Sequence, residues 1–107
     1  MAQKIFLGTE LKLNINIEPI DGMTMDDYDF EVEVICGSFK KSSIVIKKDD
    51  AKKVDSDNYV ICFDTTDAGS GRLKCRVKAY LPDGDFKDGK RTEITEIDTG
   101  IEIVKSL

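Results

Sequence analysis

The side chains with chemical potential fall into a few groups, and each can be tested against the chemistry it would serve. Four aspartates, Asp21, Asp26, Asp27 and Asp29, crowd one segment, and Asp83, Asp85 and Asp88 precede Gly89 in another. Either could offer oxygen ligands to a hard cation such as calcium, but the spacing fits no dedicated cage. An EF-hand loop needs acidic ligands at its first, third and fifth positions and glycine at the sixth. Counted from Asp83, the fifth residue is Lys87 and the glycine comes seventh. That segment therefore reads as a hairpin connection with two Asp-Gly turns, and the first as a solvated loop. Nucleophilic chemistry fares no better. A reactive cysteine needs a neighbouring base, and the chain has no His, which removes the commonest general base and the commonest metal ligand together. Gly69, Ser70 and Gly71 precede a strand pattern, so they present no helix N-terminus to a phosphate. Carboxylates such as Glu31 and Glu33 alternate along a strand towards solvent instead of converging in a cleft. The expectation is a protein that is not an enzyme, with no catalytic residue, no metal site and no cofactor.

The most distinctive surface is a basic stripe. Arg72, Lys74, Arg76 and Lys78 recur at every second position, in the phase opposite to Leu73, Cys75, Val77, Ala79 and Leu81. The simplest account is an exposed face balanced across strands by acids such as Glu31 and Glu33. The functional account is a protein-docking face made of Arg72, Lys74, Arg76, Lys78, Tyr80 and Ile35, with Val45 as a further apolar anchor. Such a face would attract an acidic partner.

The elements that must carry this stripe are strands. Leu11, Leu13, Ile15 and Ile17 alternate with polar residues until Pro19, Asp21 and Gly22 interrupt them. Tyr28 to Cys36 repeats the pattern with Phe30, Val32, Val34 and Cys36 inward. Ser43 to Lys47 places Ile44 and Ile46 on one face. Tyr59 to Phe63 is a continuous apolar run, which predicts burial on both faces, either in the sandwich centre or beneath a partner chain. Thr92 to Ile97 and Gly100 to Val104 read as two further strands broken at Asp98 and Thr99, and Gln3 to Leu7 as a weak first strand. Asp49 to Val54 has room for one helical turn. The 107 residues thus read as a single all-β domain, 1–107, an immunoglobulin-like antiparallel β-sandwich of seven or eight strands. An acidic and glycine-containing corner at Asp67, Ala68 and Gly69 leads into the strand of Cys75, as in immunoglobulin domains, although the tyrosine of that corner is missing. With no Trp, Phe30, Tyr59 and Phe63 are the large residues left to fill the centre.

Composition narrows the setting. Against 16 basic residues stand 21 acidic ones, a formal net charge of -5, which argues against nucleic acid as a partner. No stretch approaches the roughly 18 apolar residues needed to cross a bilayer, so no membrane association is expected. Ile5, Phe6 and Leu7 form an apolar run far shorter than a signal-peptide core, and no export is expected. In that setting Cys36, Cys62 and Cys75 read as reduced, buried thiols, with a Cys62–Cys75 or Cys36–Cys75 bridge as the alternative.

Three segments carry a family resemblance: Asp64, Thr65 and Thr66 leading to Gly71, Arg72 and Leu73; Tyr80 to Phe86 with Asp88 to Arg91; and Asp98 to Ile103. They resemble small immunoglobulin-like virion structural proteins of Bacteroidales phages and prophages, including crAss-like phages. A similar sandwich forms the N-terminal domain of baseplate upper proteins in other tailed phages. The resemblance rests on the C-terminal half and, for the rest, on strand pattern. It implies a head-fibre, capsid-decoration or baseplate attachment subunit, made in the host bacterial cytoplasm and located in the virion. The partners it implies are the protein itself, as a dimer or trimer, and other virion proteins. A carbohydrate-binding, adhesin-like module contacting a host-surface glycan and a regulator acting in the host cytoplasm are the readings from other classes.

Overall fold

The computed structural model describes residues 3–37 and 44–105. Eight strands and two short 3-10 turns follow one another: β1 (Gln3–Phe6), β2 (Glu10–Asn16), β3 (Asp29–Cys36), β4 (Ile44–Lys47), β5 (Lys52–Asp55), β6 (Asn58–Asp64), β7 (Gly71–Pro82) and β8 (Lys90–Val104). They form a five-stranded sheet in the order β1-β8-β7-β3-β4 and a three-stranded sheet in the order β2-β6-β5. All neighbours are antiparallel except β1, which runs parallel to β8 along Ile101–Val104. The antiparallel expectation fails there because β1 lies at the sheet edge and a long excursion of chain, through β2 and the second sheet, separates it from β8.

Alternation dictates which side of each sheet is buried. Phe30, Val32, Val34 and Cys36 of β3 and Leu73, Cys75, Val77, Ala79 and Leu81 of β7 face inward and are almost inaccessible. They share one apolar cluster with Ile15, Tyr59 and Ile61 of the smaller sheet and Ile101 and Ile103 of β8. Phe30 sits at its aromatic centre, edge-on to Tyr28 and to Tyr59. Phe63 packs only partly against the cluster.

Three expectations need correction. The apolar run of β6 is not buried on both faces within the sandwich: Tyr59 and Ile61 point inward, Val60 is half-buried and Cys62 is exposed, because among the described residues nothing in the chain itself covers the outer face of the three-stranded sheet. The expected break at Asp98 and Thr99 is a bulge inside one continuous strand, β8. Leu73 pairs with Ile101 and Lys74 with Asp98, so Thr99 and Gly100 are extra residues on one side. An even insertion keeps the inside-outside phase, which is why the alternation reads through it. Gly100 takes φ +74°, and Thr99 bonds the Leu73 carbonyl through its hydroxyl. The helical turn near Asp49 is a single 3-10 turn, Lys48–Asp50, followed by strand β5. Ser43, the first residue of the strand expected there, lies outside the described residues.

The long β2–β3 connection is held by polar contacts. Asp21 and Gly22 both take positive φ in a tight turn closed by Ile20 and Met23. Ile17 and Met25 donate backbone bonds to Asp57 and Ser56 in the β5–β6 turn. Lys48 donates to the Asp26 and Tyr28 carbonyls, its ammonium 5.9 Å from the Phe30 ring centre. Val32 and Leu73 are fully buried, whereas Val54 is 61% exposed. Val32→Asp or Leu73→Asp should therefore abolish cooperative thermal unfolding, since an unpaired buried carboxylate costs several kcal/mol against a total stability of about 5–15 kcal/mol. Val54→Asp should melt almost like the parent chain, and calorimetry of the three variants checks the inward phase.

Candidate docking face

The outer face of the five-stranded sheet gathers the predicted residues. Glu31, Glu33 and Ile35 of β3 stand beside Lys78, Arg76 and Lys74 of β7, and Tyr80 lies one step further along, opposite Asp29. On the other flank Arg72 faces Glu102, Lys74 faces Asp98, Arg76 faces Glu96 and Lys78 faces Ile94. Arg72, Lys74, Arg76, Lys78, Tyr80 and Ile35 thus share one surface, with Val45 of β4 beyond Glu33.

The cations on this surface are paired. Arg72 contacts Asp98 at 2.9 Å, Lys74 and Arg76 straddle Glu96 at 3.5 Å each, and Lys78 contacts Glu33. The Tyr80 hydroxyl donates to Glu31 Oε1 at 2.6 Å. Balance therefore comes mainly from β8, with β3 supplying Glu33 alone to the cations. The bulge is responsible: it brings Asp98 opposite Lys74 and within reach of Arg72, where its carboxylate also accepts from the Gly100 amide. The Arg72 guanidinium and the Gly100 amide hold the Asp98 carboxyl below the usual carboxylate range. Exposed pairs of this kind contribute little individually. Their effect is geometric, since they fix long side chains as a lattice of alternating charge over the outer face of the sheet.

At one end of this lattice lies a shallow depression, with Gly37 and Gly71 in its wall beside Ile35, Arg72 and Lys74. The two glycines are in close contact: a Cβ on Gly71 would sit 3.0 Å from the Gly37 Cα, and Gly71 takes φ +126°. The glycine-containing run read earlier as unsuited to phosphate thus serves a backbone crossing. Ile94, 57% exposed in the middle of β8, escaped the sequence reading. The available signal was its spacing of three from Ile97, which places the two on opposite faces.

The other candidates disperse. Asp21 pairs with Arg91, Asp26 accepts from Tyr59 and pairs with Lys53, Asp27 caps the Thr24 amide, and Asp29 accepts from the Phe30 amide. Among the described residues no group of three acids or cysteines is arranged to hold a metal ion. The connection after β7 is the expected hairpin, closed by the Asp83 amide donating to the Gly89 carbonyl. All three cysteines are free. Burial pushes the Cys75 thiol up to about 11 and raises that of Cys36 as well, so both stay protonated and unreactive at neutral pH.

Sequence reasoning also missed Thr65, the one buried polar residue of the described core. Its hydroxyl donates to the Thr9 carbonyl at 2.7 Å and accepts from the Gly8 amide at 3.0 Å, tying the turn before β7 to the β1–β2 link. Comparison with protein-family models, with curated proteins and with solved structures gives no match.

The tyrosines give this surface and the core a measurable signature. Acceptance of its proton by Glu31, then burial, pushes Tyr80 up to about 12. Burial, then the Asp26 carboxylate, does the same for Tyr59, and burial raises Tyr28. Folding thus favours the protonated phenols. The stability they contribute is complete below the unfolded value near 10 and declines as pH rises towards 12. Tyrosinate absorbance should stay low through pH 10 in the folded chain. Tyr80→Phe should remove one of the late-titrating groups and, because the bond to Glu31 is intact at neutral pH, lower the neutral-pH melting temperature by a few degrees.

Proposed function

We propose that the protein is a non-enzymatic structural module of a tailed-phage virion, a head-fibre or capsid-decoration component that docks on another virion protein through the outer face of its larger sheet. The immunoglobulin-like reading is supported by strand order. In an immunoglobulin domain strands B, E and D share one sheet and C, F and G the other, with variable-type domains extending the second beyond C. Strands β2, β6 and β5 occupy the first set of places, β3, β7 and β8 the second, and β4 extends the sheet beyond β3. Cys75 lies on the inward side of β7, the strand in the place of F, where antibody domains carry a bridged cysteine; here it is free.

The observation that carries the docking reading is the lattice of alternating charge. The charged side chains are laid out side by side on the outer face of one sheet, each with a neighbour of opposite sign, and exposed Val45 and Ile94 lie among them. Such a face recognises another surface by register of charge, because an acid of the partner can share the cations already ordered by Glu96 and Asp98. A baseplate or tail attachment subunit would use the same face and is distinguished only by its place in the particle. The carbohydrate-binding alternative asks for an exposed aromatic platform, whereas Tyr28 and Tyr59 lie in the core, the Tyr80 hydroxyl is engaged with Glu31, and the exposed Phe6 and Phe86 stand at opposite ends of β8.

Mass spectrometry of purified particles should find the chain in stoichiometric amount with the other virion proteins. The double substitution Lys74→Gln with Arg76→Gln should fold normally, because both side chains lie on the outer face and neither change sets a carboxylate against Glu96 or Asp98, yet reduce incorporation into particles at least tenfold. Absence from particles would overturn the virion reading, and undiminished incorporation of the double variant would overturn this face as the docking surface.

A further inference from the structure

Strand β8 has neighbours of unequal length. On one side β7 accompanies it from Lys90 to Ile103, while on the other β1 reaches only Ile101–Val104. Among the described residues no backbone bond is made to the outer edge of Lys90 to Ile97. An open edge of this length is a template for another strand unless it is blunted by proline, by a bulge or by charged side chains, and the outward Glu96 of this edge is already neutralised by Lys74 and Arg76. This stretch contains no Pro, and the bulge lies beyond it. Its inner-facing charges are satisfied within the chain: Arg91 is held by Asp21, Asp83 and Glu93. At its centre stands Ile94, 57% exposed.

We propose that this edge pairs antiparallel with the same edge of a second copy, centred on Ile94. The register follows from the side chains. Outward-facing residues must oppose outward-facing ones, so the two-fold axis passes through a residue of β8. Centring on Glu93 or on Glu96 sets identical carboxylates against each other, which is destabilising. Centring on Thr95 leaves Ile94 opposite Glu96. Centring on Ile94 sets the two Ile94 side chains together, Thr92 opposite Glu96, Glu93 opposite Thr95, and Lys90 opposite Asp98 of the second copy. It is the register with an apolar pair at the axis, an opposite-charge pair at each end and no like charges facing. The two five-stranded sheets join into one, and both docking lattices lie on the same side. This pairing goes beyond the docking reading and does not depend on it, since it uses the edge of the sheet and not its face.

Sedimentation equilibrium of the whole chain should give twice the monomer mass of 12.0 kDa, falling towards one on dilution. Ile94→Glu should return the mass to that of a single chain with unchanged circular dichroism. In a Cys62→Ser background, Ile94→Cys should oxidise to a linked dimer, because directly opposed Cβ atoms lie about 4.5–5.5 Å apart. Glu96→Cys should not, because its two copies would be separated by roughly four residues, about 13 Å along the strand. A single-chain mass at every concentration would overturn the pairing, as would a dimer that survives Ile94→Glu or equal cross-linking at positions 94 and 96. Virion incorporation through the outer face could still be measured in any of those cases.

Discussion

Strand β7 is the constraint on which the rest depends. It is hydrogen-bonded on both sides, to β3 and to β8, so its twelve residues have no freedom to shift without breaking two ladders at once. Because side chains alternate, fixing β7 fixes both a row of core residues from Leu73 to Leu81 and a row of cations from Arg72 to Lys78. Core and surface are two sides of one strand. A slip of one residue would bury four cations and expose five apolar groups, so the register is set by the hydrophobic effect and the charged face follows from it.

That origin explains the character of the surface. The cations did not converge on a point; they were spread by the 3.3–3.4 Å step of a strand, and the neighbouring strands supply acids at matching intervals. The bulge in β8 completes the match by bringing Asp98 beside Arg72 and Lys74. In the docking role proposed above, a module of this form would act by rigid presentation and repetition, and both the face of the larger sheet and the open edge of β8 suit that use.

The remaining order comes from polar ties between segments far apart in the chain. Thr65 holds the β1–β2 link from a position 56 residues away, and Asp26 receives the Tyr59 hydroxyl across 33 residues. Lys48 satisfies two carbonyls of the β2–β3 connection while lying near two aromatic rings. The ties to the Thr9 carbonyl, the Tyr28 carbonyl and the Tyr59 hydroxyl each satisfy a part-buried group that would otherwise lose its partner. Acids that look like a cluster in sequence are thereby drawn to separate partners, and no single centre forms from them.

Alternation alone determined the all-β class, the inward phase of β2, β3 and β7, and the outward row of cations, because a period of two has only one burial solution for each strand. The two Asp-Gly pairs likewise determined that Asp83 to Gly89 would turn. The tertiary structure decided what one-dimensional patterns do not encode. It set the parallel placement of β1, the exposure of Cys62, the partners of Arg72, Lys74 and Arg76, and the continuity of β8 through Thr99 and Gly100. These features depend on which strands become neighbours and on what lies over each face. Pairing between distant strands is selected by the packing of the whole core, not by any local spacing of residues.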